Sequence, residues 1–132
     1  MSDPANPAAA GGRTLVFVYG TLKRGGENHA LLANQRFLGT ARTTSGYRLY
    51  GLDGYPGLLE DPQGPGEVSG EVWEVDASAL RALDELEGVD EGLYVRAAVR
   101  LAPPFDQTKI DTYLYLRSIT GRPDLGREWP IP

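Results

Sequence analysis

The sequence predicts an α+β fold, a compact, mostly antiparallel sheet, curled or barrel-like, with one or two short flanking helices. Three observations carry this. The 17 glycines and 10 prolines are scattered between short apolar runs, which is the punctuation of strands and turns rather than of a helical bundle. Leu15 to Tyr19 (LVFVY) is apolar throughout, as a central strand covered on both faces requires. Asp76 to Glu87 (DASALRALDELE) is the strongest helical segment, and it is short.

Residues 1–13, rich in Ala, Pro, Gly and Asn without a hydrophobic period, read as a disordered tail before a single domain over 14–132. The strand at Leu15–Tyr19 comes first. Asn28 to Gln35 reads as a short helix. Arg36 to Thr43 and Tyr47 to Leu52 alternate as strands around the turn signal Thr44-Ser45-Gly46. Glu67 to Val75 alternates again. In the helix that follows, Asp76 or Ser78 can cap the N-terminus, and Gly88 suits the left-handed position that stops it. Tyr94 to Leu101 and Ile110 to Leu116 complete the set. The last puts Ile110, Thr112, Leu114 and Leu116 on one face. Tyr113 and Tyr115 fall on the other, either lining an interior cavity or covering the sheet. Pro56, Pro62, Pro65, Pro103 and Pro104 fall between the runs.

Composition narrows the chemistry. Hydrophobic residues at 41% and charged residues at 23% are enough for a buried core. With 18 acidic and 13 basic residues the net charge is −5, which disfavours nucleic acid and anionic membranes as partners. Cysteine is absent and His29 is the only histidine. Thiolate nucleophiles and zinc sites built on two histidines are thereby excluded, and any Ser-His-Asp triad would have to use His29. A secretory signal and an apolar span are both lacking, so a cytoplasmic location is expected.

Two features could carry chemistry. Leu80, Leu83 and Glu87 are spaced i, i+3, i+7 and share the apolar face of the helix, bordered by Ala79 and Leu86. Burial and the negative end of the helix dipole would both raise the Glu87 pKa towards that of a general base. The alternative is a frayed helix end with Glu87 in water. The second feature is Tyr19-Gly20-Thr21-Leu22-Lys23-Arg24-Gly25-Gly26, directly after the buried strand. Its glycines allow backbone N–H groups to converge on a small anion. Gly20 and Gly25 have phosphate-loop spacing, but Gly26 and Glu27 stand where Lys and Ser or Thr are required. A plain strand-to-loop turn is the other reading. Asp84, Glu85, Glu87, Asp90 and Glu91 do not fit a calcium loop and read as a solvated acidic helix end. His29 reads as a surface histidine, and Tyr47, Tyr50 and Tyr55 as packing residues.

LVFVYGTLKRGG (Leu15–Gly26) followed by Glu27-Asn28-His29, Gly70-Glu71-Val72-Trp73, and Leu83-Asp84-Glu85-Leu86-Glu87-Gly88 with Leu93-Tyr94-Val95-Arg96 together resemble the γ-glutamylcyclotransferase-like, or AIG2-like, family. The resemblance runs from about Leu15 to Leu116, and the YGTLKRG opening is similar to the γ-glutamylamine cyclotransferase subgroup. It implies a compact mixed β-barrel with flanking helices. It also implies a reaction in which the α-amine of a γ-glutamyl group attacks its own γ-carbonyl, giving 5-oxoproline and a free amine or amino acid. Glu87 would be the catalytic base. Backbone groups of Tyr19, Gly20, Thr21 and Leu22 would hold the glutamyl moiety, with Tyr94 and Tyr115 as pocket residues. The resemblance implies no metal and no cofactor. A monomer acting on a small γ-glutamyl substrate is expected: a γ-glutamyl-lysine isopeptide, another γ-glutamylamine, or a γ-glutamyl-protected metabolite. A non-catalytic module binding a small anionic metabolite on the same fold is the alternative.

Overall fold

The computed structural model describes residues 12–130, so most of the tail read at 1–13 lies outside the described residues. One curled sheet holds eight strands: β1 (Thr14–Val18), β2 (Arg36–Arg42), β3 (Tyr47–Gly51), β4 (Pro56–Glu60), β5 (Ser69–Val75), β6 (Tyr94–Ala98), β7 (Asp111–Tyr115) and β8 (Asp124–Gly126). The main path runs β2-β5-β1-β7-β4-β3-β8, with β6 on β7. Most pairings are antiparallel. The exceptions are β7 with β1, through Val16 and Asp111, and β7 with β4, through Leu58 and Leu114. With β6 on one edge of β7, β1 and β4 share the other. The sheet curls until Thr43, after β2, bridges Leu101, after β6. Thr44 N and Ala102 N donate across that seam to Arg100 O and Arg42 O at 3.0 and 2.9 Å.

β1 is central and apolar on both faces for a clear reason. Phe17 and Tyr19 point into the barrel with Tyr47, Leu49, Leu58 and Ile110. Val16 and Val18 face the opposite way, packing with Trp73, Leu83, Tyr94 and Tyr113. The helix α1 (Ala77–Leu86) covers this second face through Ala79 and Leu83. Asp76 caps it, its carboxylate accepting from Ala79 N at 2.8 Å, and Gly88 leaves it at φ 64°. Among the described residues no helix is long and apolar enough to cross a membrane.

Several expectations are corrected. β2 and β3 do not pair with each other across Thr44–Gly46; β2 lies on β5 and β3 on β4. Strands β4 and β8 have no counterpart in the sequence reading. β4 opens on Pro56, where a missing N–H is tolerated, and its Gly57 lies so close to Tyr115 that a Cβ there would stand 2.9 Å from the tyrosine Cβ. The segment Asn28–Gln35 is reduced to a 3₁₀ turn over His29–Leu32. Around β7 the two faces separate as expected, Ile110 and Leu114 packing in one cluster and Tyr113 and Tyr115 in the other, but Leu116 lies beyond the strand and is 54% exposed.

Candidate active site

Tyr19 directly follows β1, its phenol buried between β7 and β4. The hydroxyl donates to Tyr113 O at 2.6 Å and accepts from Leu58 N at 3.1 Å. Burial, then the nearby Glu87 carboxyl, push its pKa well above the ordinary phenol value, so it stays neutral. The chain then turns through Gly20, Thr21 and Leu22, and this loop is built from its carbonyls. Gly20 O accepts from Lys23 N at 3.1 Å, Thr21 O from Asn28 N at 2.9 Å, and Leu22 O from the His29 ring at 2.9 Å. The N–H groups of Gly20, Thr21 and Leu22 have no acceptor among the described residues. Such a row of free amides is suited to a carboxylate or another small anion.

Gly20, Thr21 and Leu22 border a cavity of about 330 Å³ whose walls also include Asn28, Tyr55, Pro56, Glu87, Tyr94 and Tyr113. That is the lower end of the range for small-molecule sites. Glu87 is the residue on which α1 ends, one turn beyond Leu83, whose carbonyl receives the Glu87 N–H at 2.9 Å. Its carboxyl makes no hydrogen bond or ion pair among the described residues, and burial alone pushes its pKa up to about 7. An unpaired carboxyl titrating there can take up and release protons near neutrality.

The cavity thus brings together six of the seven expected site residues by their main chain or side chain: Tyr19, Gly20, Thr21, Leu22, Glu87 and Tyr94. The Tyr19 hydroxyl is spent within the fold, which leaves its main chain for the loop. Tyr115 does not line the cavity. It backs Tyr94 edge-on, with ring centroids 5.3 Å apart, while the Tyr94 hydroxyl donates to Pro56 O.

Other readings change. Asp84 is not a solvated acid. Its Oδ1 accepts from the Tyr113 hydroxyl at 2.7 Å and from Arg96 Nε at 3.0 Å, and Arg96 Nη1 reaches Asp111 Oδ2 at 3.2 Å. Tyr113 and Tyr55 line the cavity; for Tyr113 the sequence leaves this open, and for Tyr55 it suggests packing. His29 has partners, bonding Leu22 O and standing edge-on to Trp73 at 5.2 Å. Lys23 turns away from the cavity and donates to Trp129 O at 2.7 Å, burial lowering its pKa. Among the described residues no cluster of three His, Cys, Asp or Glu could hold a metal ion.

Gly20 fixes the wall mechanically, because a Cβ there would lie 2.6 Å from Pro56 Cγ. The rigid proline ring cannot yield as a long side chain would. Gly20→Ala is therefore expected to lose about 1–3 kcal/mol of stability, read as a lower urea midpoint at unchanged m-value. An unchanged midpoint would mean that the loop lifts freely off Pro56.

Residues 16–130 match the family described as gamma-glutamyl cyclotransferase, AIG2-like. The chain belongs to this family. A Vibrio cholerae protein provisionally named a γ-glutamylcyclotransferase is 49% identical over 75 residues, 57% of this chain and 63% of that one. The Homo sapiens γ-glutamylaminecyclotransferase is 42% identical over 94 residues, 66% of this chain and 61% of that one. The chain spans less than two thirds of the length of either relative. The crystal structure of an AIG2-like protein from Mus musculus superposes with a TM-score of 0.68 at 32% identity, covering 77% of this chain and 76% of that one. The mixed, curled and mostly antiparallel sheet expected from the sequence is the fold of this family.

Proposed function

We propose that the chain is a γ-glutamyl(amine) cyclotransferase. It would convert a γ-glutamyl amine, or a γ-glutamyl amino acid, to 5-oxoproline and the free amine. The observation that carries this reading is one cavity with an unpaired carboxyl titrating near 7 in its wall and three unsatisfied amides beside it. The amides would hold the substrate α-carboxylate. Glu87 would take a proton from the α-ammonium, freeing the lone pair to attack the γ-carbonyl. The new C–N bond closes a five-membered lactam as the bond to the leaving nitrogen breaks. Two protons leave the α-nitrogen and two arrive on the departing amine, and Glu87 can carry them one at a time. Folding the chain so that amine meets carbonyl supplies much of the acceleration, because both belong to one molecule. The step as written uses no metal and no cofactor.

The amine form of the leaving group is supported by the relative named γ-glutamylaminecyclotransferase. The test is to incubate the protein with a panel of γ-glutamyl amines and γ-glutamyl amino acids and to measure 5-oxoproline. Release of 5-oxoproline with at least one of them is expected. Retention of a ligand without product would overturn the enzymatic reading in favour of a binding module.

A further inference from the structure

The cavity presents four tyrosines from the strands and their ends, Tyr19, Tyr55, Tyr94 and Tyr113, and the three whose hydroxyls are bonded within the fold are not equivalent. The Tyr19 hydroxyl is committed to Tyr113 O and Leu58 N, and that of Tyr94 to Pro56 O. Tyr113 instead gives its single proton to a side chain, Asp84 Oδ1, at 2.7 Å. Asp84 stands three residues before Glu87 on α1, so the two acids lie on neighbouring positions of one helix face. The phenol oxygen of Tyr113 is therefore delivered to the turn that carries Glu87, in the wall of the same cavity.

Asp84 is held in place by an arginine. Arg96 grips it with Nε and Nη2 at 3.0 and 3.3 Å, and its remaining nitrogen reaches Asp111 at 3.2 Å. Asp111 is on β7 and nearly buried, with 11% of its side chain exposed. The relay thus runs from β7 through β6 to α1 and back to β7, fixing Asp84 as acceptor and Tyr113 as donor. A phenol whose proton is spent in this way can offer a ligand only its lone pairs. It is an acceptor, suited to an N–H group and not to a carboxylate.

We infer that Tyr113 is a substrate-binding residue whose oxygen accepts a hydrogen bond from the substrate α-ammonium beside Glu87, with Asp84 and Arg96 as positioning residues that aim it. This rests on the γ-glutamyl reading above. It divides the site by chemistry, with amides for the carboxylate at the Gly20 end and oxygen acceptors for the ammonium at the α1 end. The attacking nitrogen is thereby held by two groups, of which only Glu87 moves protons.

The experiment compares two ligands that differ only at that nitrogen, N5-butylglutamine and its des-amino analogue N-butylglutaramate. Binding to Glu87→Gln protein is measured by calorimetry so that nothing is turned over. The ammonium is expected to be worth about tenfold in affinity with Tyr113 present, and no more than about twofold in Tyr113→Phe. Asp84→Leu, which leaves Tyr113 in place but frees its proton, should also shrink the preference. A merely structural role for Tyr113 would weaken both ligands alike, and an equal preference with tyrosine and with phenylalanine at this position overturns the assignment. An undiminished preference in Asp84→Leu overturns the aiming role. If the coupling holds but the native protein releases no 5-oxoproline, the cyclotransferase reading fails and Tyr113 keeps its role. Turnover without coupling gives the reverse. If neither ligand binds, both fall.

Discussion

Glu87→Gln is expected to abolish most 5-oxoproline formation and, at alkaline pH, to make the protein more stable. The first effect follows from general base catalysis, which contributes about 10²–10⁴-fold. A loss of that size in kcat, with KM little changed, is expected, because glutamine keeps the shape but carries no transferable proton. In the native protein kcat/KM should rise with pH along a limb centred near the Glu87 pKa of about 7. The second effect follows from the same burial. In the unfolded chain this carboxyl titrates near its ordinary value of 4.5, and in the fold near 7. Between these values the native state holds the proton and the unfolded state does not, so stability falls as pH rises through this window. Above 7 the full penalty is present, about 3 kcal/mol. The glutamine variant escapes it at every pH, less whatever its own buried amide costs. Thermal melts at pH 4 and pH 8 check the sign. Near-equal Tm values are expected at pH 4, and a variant higher by several degrees at pH 8. A Tm difference independent of pH would show that Glu87 is not desolvated. Full turnover by the variant would put the base elsewhere.

What the sequence makes legible is local and periodic. The Glu87 face emerges from i, i+3, i+7 spacing with Leu80 and Leu83, since a helix carries that information within three turns. The cap at Asp76 and the stop at Gly88 are readable for the same reason. The Gly20–Leu22 loop is suggested by glycines after an apolar strand, but the freedom of its amides is not. That depends on Asn28 and His29 occupying the loop carbonyls, a matter of loop closure. Asp84 reads as solvated because it sits among four other acids. Its partner Arg96 is 12 residues away and its donor Tyr113 is 29 away, so only the meeting of α1 with β6 and β7 separates it from its neighbours. Strand β4 is hidden because Pro56 and Gly57 look like loop residues. Both are tolerated for tertiary reasons, an N–H not needed at a strand start and a ring lying against the glycine.

Tyr19→Phe should be far more costly than the loss of one oxygen suggests. At the only register pair between β4 and β7, Leu58 lies beside Leu114 in a parallel contact, which offers few main-chain bonds. The Tyr19 hydroxyl serves as an added rung, receiving Leu58 N from β4 and bonding Tyr113 O on β7. Phenylalanine fills the ring's place but leaves a buried N–H and a buried C=O unpaired, each costing about 1–3 kcal/mol. A loss of about 2–5 kcal/mol is expected, a fall in Tm on the order of 10 °C. Tyr47→Phe is the control. That ring is fully buried, but its hydroxyl accepts only from the half-buried Arg100 N at 3.1 Å, so a loss nearer 1 kcal/mol is expected. Equal losses in the two variants would mean that the Tyr19 hydroxyl is no rung. The consequence for the site follows from which groups the rung holds. It fixes the main chain of Tyr113 on one wall of the cavity and comes from the residue before Gly20 on the other. In the sequence Tyr19 matters for its main chain in the ligand loop. In the fold its side chain sets how far that loop stands from the strand that closes the pocket.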